Sequence, residues 1–202
     1  MKLKSTIVIS AAACMLALAG CSDDDSSSSA ESAATTPSVD VTHTQPQLDG
    51  ATCPTGKPAP GTAPQWEVKG TTGSVAVIGQ TDTTAPLITV TTPFTVDKTE
   101  VKTLDAGDGA EVTDASTVNV CYEGVNGRTG EVFDSAYQRG EPAEFPASGV
   151  VEGFRQALVG QKVGSTVAVV IPSADGYPQG TPDGSIEAGD TIIFALKILS
   201  AS

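Results

Sequence analysis

Tyr122, Phe133, Phe154, Tyr177 and Phe194 are the residues best able to do chemistry in this sequence. All five Phe and all three Tyr fall between Phe94 and Phe194, and Trp66 is the only other aromatic. Rings are the largest apolar surface a small domain can bury or offer to a ligand. That half of the chain therefore holds the core, the site, or both. The polar residues narrow the chemistry by exclusion. His43 is the only His, and it lies in a Ser-, Thr- and Asp-rich stretch. A Ser–His–Asp triad or a Cys–His pair needs a positioned His, and one such His with scattered Cys makes no zinc site. Asp23-Asp24-Asp25 reads as a solvated acidic run. Asp105 to Gly109 lacks the alternating ligands and closing Glu of a calcium loop and reads as a turn. The net charge is −13 and no basic stripe occurs, which argues against nucleic acid as a partner.

The rings need elements to hold them. Thr117 to Gly124 alternates, with Val118, Val120 and Tyr122 on one face and Asn119, Cys121 and Glu123 on the other. That period of two describes a half-buried strand with Tyr122 toward the core and Cys121 away from it. A turn at Asn126, Gly127 and Gly130 leads into Glu131–Ser135. Phe154, Ala157 and Leu158 have the i, i+3, i+4 spacing of one short amphipathic helix, which Gly160 is placed to end. Thr166–Ile171 is an apolar strand stopped by Pro172. A Gly/Pro-rich loop carrying Tyr177 runs to Gly189. The closing strand, Asp190–Leu199, puts Ile192, Phe194, Leu196 and Ile198 on one face. Many strands and one short helix give an α+β domain, an antiparallel sheet curled around the helix.

The other half of the chain reads as delivery and bracing. Lys2 and Lys4 precede an apolar run, Ile7–Ala19, too short to span a bilayer and suited to a signal peptide. Leu18-Ala19-Gly20-Cys21 resembles the bacterial lipoprotein signal, in which the Cys takes the lipid; the alternative is an ordinary secretory peptide with a chance Cys. Residues 21–48 are too polar to offset their ordering entropy and read as a disordered tether. Residues 49–95 combine a Pro/Gly-rich connector with strand-like pieces at Trp66–Lys69, Ser74–Ile78 and Leu87–Thr91, expected to pack on the main domain at 96–202. A further strand-like piece, Val101–Leu104, opens that domain. Cys53 and Cys121, in an exported chain, suggest one disulfide; two free thiols are the other reading.

Several segments together resemble the FKBP-type peptidyl-prolyl cis-trans isomerases. They are Tyr122-Glu123-Gly124, Phe133-Asp134-Ser135, Val150-Val151-Glu152-Gly153-Phe154, the stretch from Leu158 to Gly164, Ile171-Pro172, Gly176-Tyr177 and Thr191-Ile192-Ile193-Phe194. Order and spacing match from about Val101 to the C-terminus. The resemblance implies an FKBP-like fold, no cofactor, no metal, and X–Pro segments of unfolded or exported proteins as partners. It places Phe154 at the floor of a proline pocket and Tyr122, Phe133, Val150, Val151 and Phe194 at its walls. Asp134 falls beside the bound amide, and the Tyr177 hydroxyl and Val151 N–H fall where the ligand is hydrogen-bonded. Ile186 falls on a flap loop. The sequence departs at two points: Phe154 stands where the floor is usually Trp, and Ala143 stands where a wall is often aromatic, leaving that wall short.

The chemistry so implied is rotation about an X–Pro amide, favoured by an apolar pocket. Asp134 then orients Tyr122 or meets the twisted carbonyl and is not a general base. A non-catalytic prolyl-peptide-binding module or chaperone of the same fold is the alternative, and a surface adhesin or solute receptor a more distant one. Phe145 and Phe194 also read as ordinary core. A monomer is expected, exported and lipid-anchored through Cys21 to the outer face of the cell membrane.

Overall fold

The computed structural model describes residues 52–202. The expected signal segment, Cys21, the tether and His43 lie outside the described residues.

Two sheets form. The first is three-stranded, ordered β1 (Trp66–Lys69), β2 (Thr72–Ile78) and β3 (Leu87–Thr95). The second is six-stranded and antiparallel. It contains β4 (Glu100–Asp105), β5 (Thr117–Asn126), β6 (Val132–Ser135), β7 (Ala143–Pro146), β8 (Thr166–Ile171) and β9 (Ile192–Ala201) in the order β4-β8-β9-β5-β6, with β7 also paired to β5. One edge of β5 is thus shared. β7 pairs along Thr117–Val120 and β6 along Glu123–Val125. Between them the chain forms α1 (Ala136–Arg139), whose N-cap Ser135 accepts a hydrogen bond from the Gln138 N–H. The sequence reading expected one helix, and α1 is a second. A single turn has no room for an apolar period, so its only local signals are the Ser cap and the left-handed Gly140 that closes it.

The second α-helix, α2 (Glu152–Leu158), lies across the large sheet and buries Phe154, Ala157 and Leu158. Gly153 sets how close it comes. A Cβ there would sit 2.4 Å from Ile171 Cγ2 on β8, so only Gly lets the helix reach the sheet. β8 is buried along its whole length. Val167, Val169 and Ile171 join the cluster under α2, whereas Ala168 and Val170 join Val68, Val75, Val77, Ile88 and Phe94 of the small sheet. β9 divides likewise, with Ile193 and Ala195 toward the small sheet. The result is three layers, helix on sheet on sheet. A central strand covered on both faces reads as a continuous apolar run, as Thr166–Ile171 does.

β5 differs from expectation in one respect. Its Cys121 face is not open: Cys121 is fully buried and bonded to Cys53. The connector lies over that face, with the Cys53 N–H donating to Gly140 O at 3.1 Å.

Candidate active site

The rings converge at the open end of the large sheet. Phe154 rises from α2, where its ring meets Phe194 of β9 edge-on with centroids 4.8 Å apart and Tyr122 of β5 at 6.0 Å. Phe133 of β6 stands edge-on to Phe194 at 5.5 Å. Gly124 explains how these rings fit over a strand. It pairs with Asp134 on one side and Phe194 on the other. A Cβ on it would lie 2.6 Å from both Phe133 Cζ and Phe194 Cε1. The glycine that follows Tyr122-Glu123 is therefore the space under two rings.

These side chains enclose a cavity of about 370 Å³. Tyr122, Phe133, Asp134, Val150, Val151, Phe154, Tyr177 and Phe194 line it, with Phe145 and Gly149. Ile186 does not line this cavity. It is buried beneath a neighbouring one, against the loop that follows Tyr177. Phe145 corrects the sequence reading of a short wall at Ala143. Residues two apart on a strand share a face, so β7 supplies the missing ring one pair further along, 6.0 Å from Tyr122 and 5.9 Å from Phe154.

A polar network sits on one rim. The Tyr122 hydroxyl donates to Asp134 Oδ2. Arg139, from α1, donates to Asp134 Oδ1 and, at 3.2 Å, to the Tyr122 oxygen, while its guanidinium lies over the Tyr122 ring. Arg139 escaped the sequence reading because it depends on α1. Burial opposes ionisation of Asp134, but the hydrogen bonds from Tyr122 and Arg139 outweigh it and hold the carboxyl below its usual range. Burial, and then Asp134, push the Tyr122 hydroxyl upward, and the same two causes act on Tyr177.

The fold and the cavity can be set beside known proteins. The family model for FKBP-type peptidyl-prolyl cis-trans isomerases matches residues 109–199. An FK506-binding protein of Streptomyces anulatus is 36% identical over 103 residues, covering 50% of this chain and 83% of that one. The chain belongs to the FKBP-type peptidyl-prolyl cis-trans isomerases. The peptidyl-prolyl cis-trans isomerase Mip of Coxiella burnetii is likewise 36% identical over 50% of this chain, but the match spans only 44% of Mip. Among solved structures, FkpA from Escherichia coli aligns with a TM-score of 0.48 at 32% identity, over 52% of this chain and 48% of that one.

In this FKBP domain the loop carrying Tyr177 is pinned by Asn126, from the turn after β5, and by Asp190, which the sequence assigns to the closing strand but which lies just before β9. Buried Asn126 donates through Nδ2 to Ser185 O at 2.9 Å and to Asp190 Oδ2 at 2.8 Å. Asp190 also accepts from Arg128 Nε and the Glu187 N–H. Asp190→Ala leaves the buried Asn126 amide short of an acceptor, at a cost of about 1–3 kcal/mol. Hydrogen exchange across residues 177–190 should then rise in the variant, while β8 and β9 stay protected.

The ionisation pattern sets the pH dependence expected of this FKBP domain. Asp134 has a depressed folded pKa. Its contribution is complete above the unfolded value of about 3.9 and is lost only as pH falls through the lower folded value. Tyr122 and Tyr177 titrate above their usual value. The kcat/KM for an X–Pro peptide should therefore stay flat from about pH 5 to 9. A limb near neutrality would show that a proton moves.

Proposed function

We propose that the chain assists the folding of exported proteins by accelerating cis-trans isomerisation of their X–Pro bonds. The observation that carries this reading is the aromatic cavity with its Tyr122–Asp134–Arg139 rim. An X–Pro bond turns slowly because rotation breaks amide resonance, a barrier of about 18–20 kcal/mol. Twisting also reduces the amide dipole. Transfer from water to an apolar cavity therefore costs the planar form more than the twisted one. Phe154 forms the floor, and Tyr122, Phe133, Phe145, Val150 and Phe194 the walls. The Tyr177 hydroxyl and the Val151 N–H hold the peptide in register. Asp134 and Arg139 fix the Tyr122 ring, and no proton is transferred.

The sequence supports an arrangement for delivering this activity: a signal peptide at 1–20, a lipidated Cys21 with a tether to residue 48, a connector and bracing strands at 49–95, and the isomerase domain at 96–202. Cys21→Ser should release the protein from membranes, and unchanged membrane association would refute the anchor. The folding role is tested on an unfolded protein whose refolding waits on a proline. The slow phase should accelerate with wild type and not with Phe133→Ala. Binding of the unfolded chain with no acceleration would instead favour a chaperone of the same fold.

A further inference from the structure

A separate cavity, of about 440 Å³, lies on the other face of β5. Successive residues of a strand point to opposite faces: Tyr122 lines the proline cavity, and Glu123 lines this one. The two share no lining residue. The connector forms one wall with Lys57 and Pro58, held there by the Cys53–Cys121 bond and by the pairing of Gly56 with Thr84. Pro86 and Leu87, where β3 begins, form another, and buried Tyr137 of α1 closes the base. The lining is mostly apolar, and Leu87 is 44% exposed. Glu123 is the exception. Its carboxylate is half-buried and accepts from the Ser135 hydroxyl at 3.4 Å. Among the described residues it makes no ion pair. Burial holds this carboxyl above its usual range, against the pull of that hydrogen bond. Burial, and then the Glu123 charge, push the Tyr137 hydroxyl upward.

We infer that this cavity is a second binding site, which takes a Lys or Arg side chain from an extended peptide segment with apolar neighbours. A half-buried carboxylate without a cation is costly, and a cation beside it recovers part of that cost. Lys and Arg suit the lining because their stems are aliphatic and their heads charged. The stem lies along Pro86 and Tyr137, the head reaches Glu123, and an apolar neighbour covers Leu87. The cavity has the size and the largely apolar lining of a ligand pocket, with room for more than one side chain. The preceding part of the chain cannot supply this cation, because residues 21–51 contain no Lys or Arg. Lys57, at the mouth, does not replace the occupant. It is exposed, pairs with no carboxylate among the described residues, and its charge is screened by water and salt. The site goes beyond the isomerase reading and needs no proline in its ligand.

The test titrates acetyl-Leu-Lys-Leu-amide and acetyl-Leu-Gln-Leu-amide into the full chain and follows its amide NMR shifts. The Lys peptide should move the amides of Gly56, Lys57, Leu87, Tyr137 and Gln138 and leave those of Val150, Val151 and Phe154 in place. Wild type should prefer the Lys peptide by about fivefold. That preference should approach one in Glu123→Gln, which keeps an acceptor for Ser135 and removes the charge. Leu87→Ser tests the apolar wall at an exposed position, without touching β5, and should weaken both peptides about threefold. The same Lys/Gln ratio in wild type and Glu123→Gln overturns the site. So does binding that Leu87→Ser leaves unchanged, or an absence of shifts at these amides at about 10 mM peptide. If n-hexylamine binds as tightly as the Lys peptide, a peptide segment is overturned as the occupant. Neither peptide contains proline, so the outcome is independent of turnover.

Discussion

Truncating Phe133 to Ala is expected to lower kcat/KM for an X–Pro peptide by about 10–100-fold while leaving the domain folded. The ring is worth roughly 1.5–3 kcal/mol of apolar contact, and each 1.36 kcal/mol lost from the transition state is tenfold in rate. Phe133 suits the test better than Phe154. Phe154 is buried and touches Tyr122, Phe145 and Phe194, so its removal would cost about 3–5 kcal/mol of stability and mix folding with catalysis. Phe133 is only half-buried, and it stands on the edge that the proline cavity shares with the neighbouring one over Ile186. Its loss admits water to the proline site with little damage to the layers beneath. Thermal unfolding measured beside the rate separates the two effects.

Removing the Cys53–Cys121 bond is expected to have the largest effect on stability. The bond closes a loop of 68 residues that contains the whole three-stranded sheet. Opening such a loop restores entropy to the unfolded chain worth about 4 kcal/mol. For a domain of this size that is roughly 10 °C in midpoint. The double variant Cys53→Ser, Cys121→Ser should show this loss with no added reductant, and reductant should bring wild type to a similar midpoint. Activity at low temperature should largely survive, because no pocket ring is altered. An unchanged midpoint would show that packing of the small sheet, and not the crosslink, fixes the connector.

Much of this architecture was legible because burial leaves a period. Trp66–Lys69 and Thr166–Ile171 form strands over those bounds, and Phe154, Ala157 and Leu158 face the core from one helix as their spacing implies. What covers a strand is harder to read. Cys121 alternates with Tyr122 as an outward residue should, yet the connector buries it. Only the unbroken apolar run of β8 hints that the sheet has two covered faces. The site divides in the same way. Its rings sit in short motifs with fixed neighbours, and Gly124 and Gly153 gain a physical reason from the atoms that crowd them. Arg139, Asn126 and Asp190 carry no such mark, because a polar latch repeats nothing: Arg139 meets its partners only once α1 has formed, and Asn126 finds Ser185 and Asp190 far along the chain. Phe145 was visible as a ring but not as a wall, since one strand offset decided whether it or Ala143 lies nearest.

The most direct test of the central claim is exchange NMR on a short X–Pro peptide with a catalytic amount of protein. Without catalyst the two isomers interchange over tens to hundreds of seconds, too slowly for exchange peaks. Wild type should produce cis-trans exchange peaks that Phe133→Ala largely abolishes, with both proteins folded. Peptide that binds wild type yet still interchanges at its uncatalysed rate would contradict the account and leave the cavity a binding site alone.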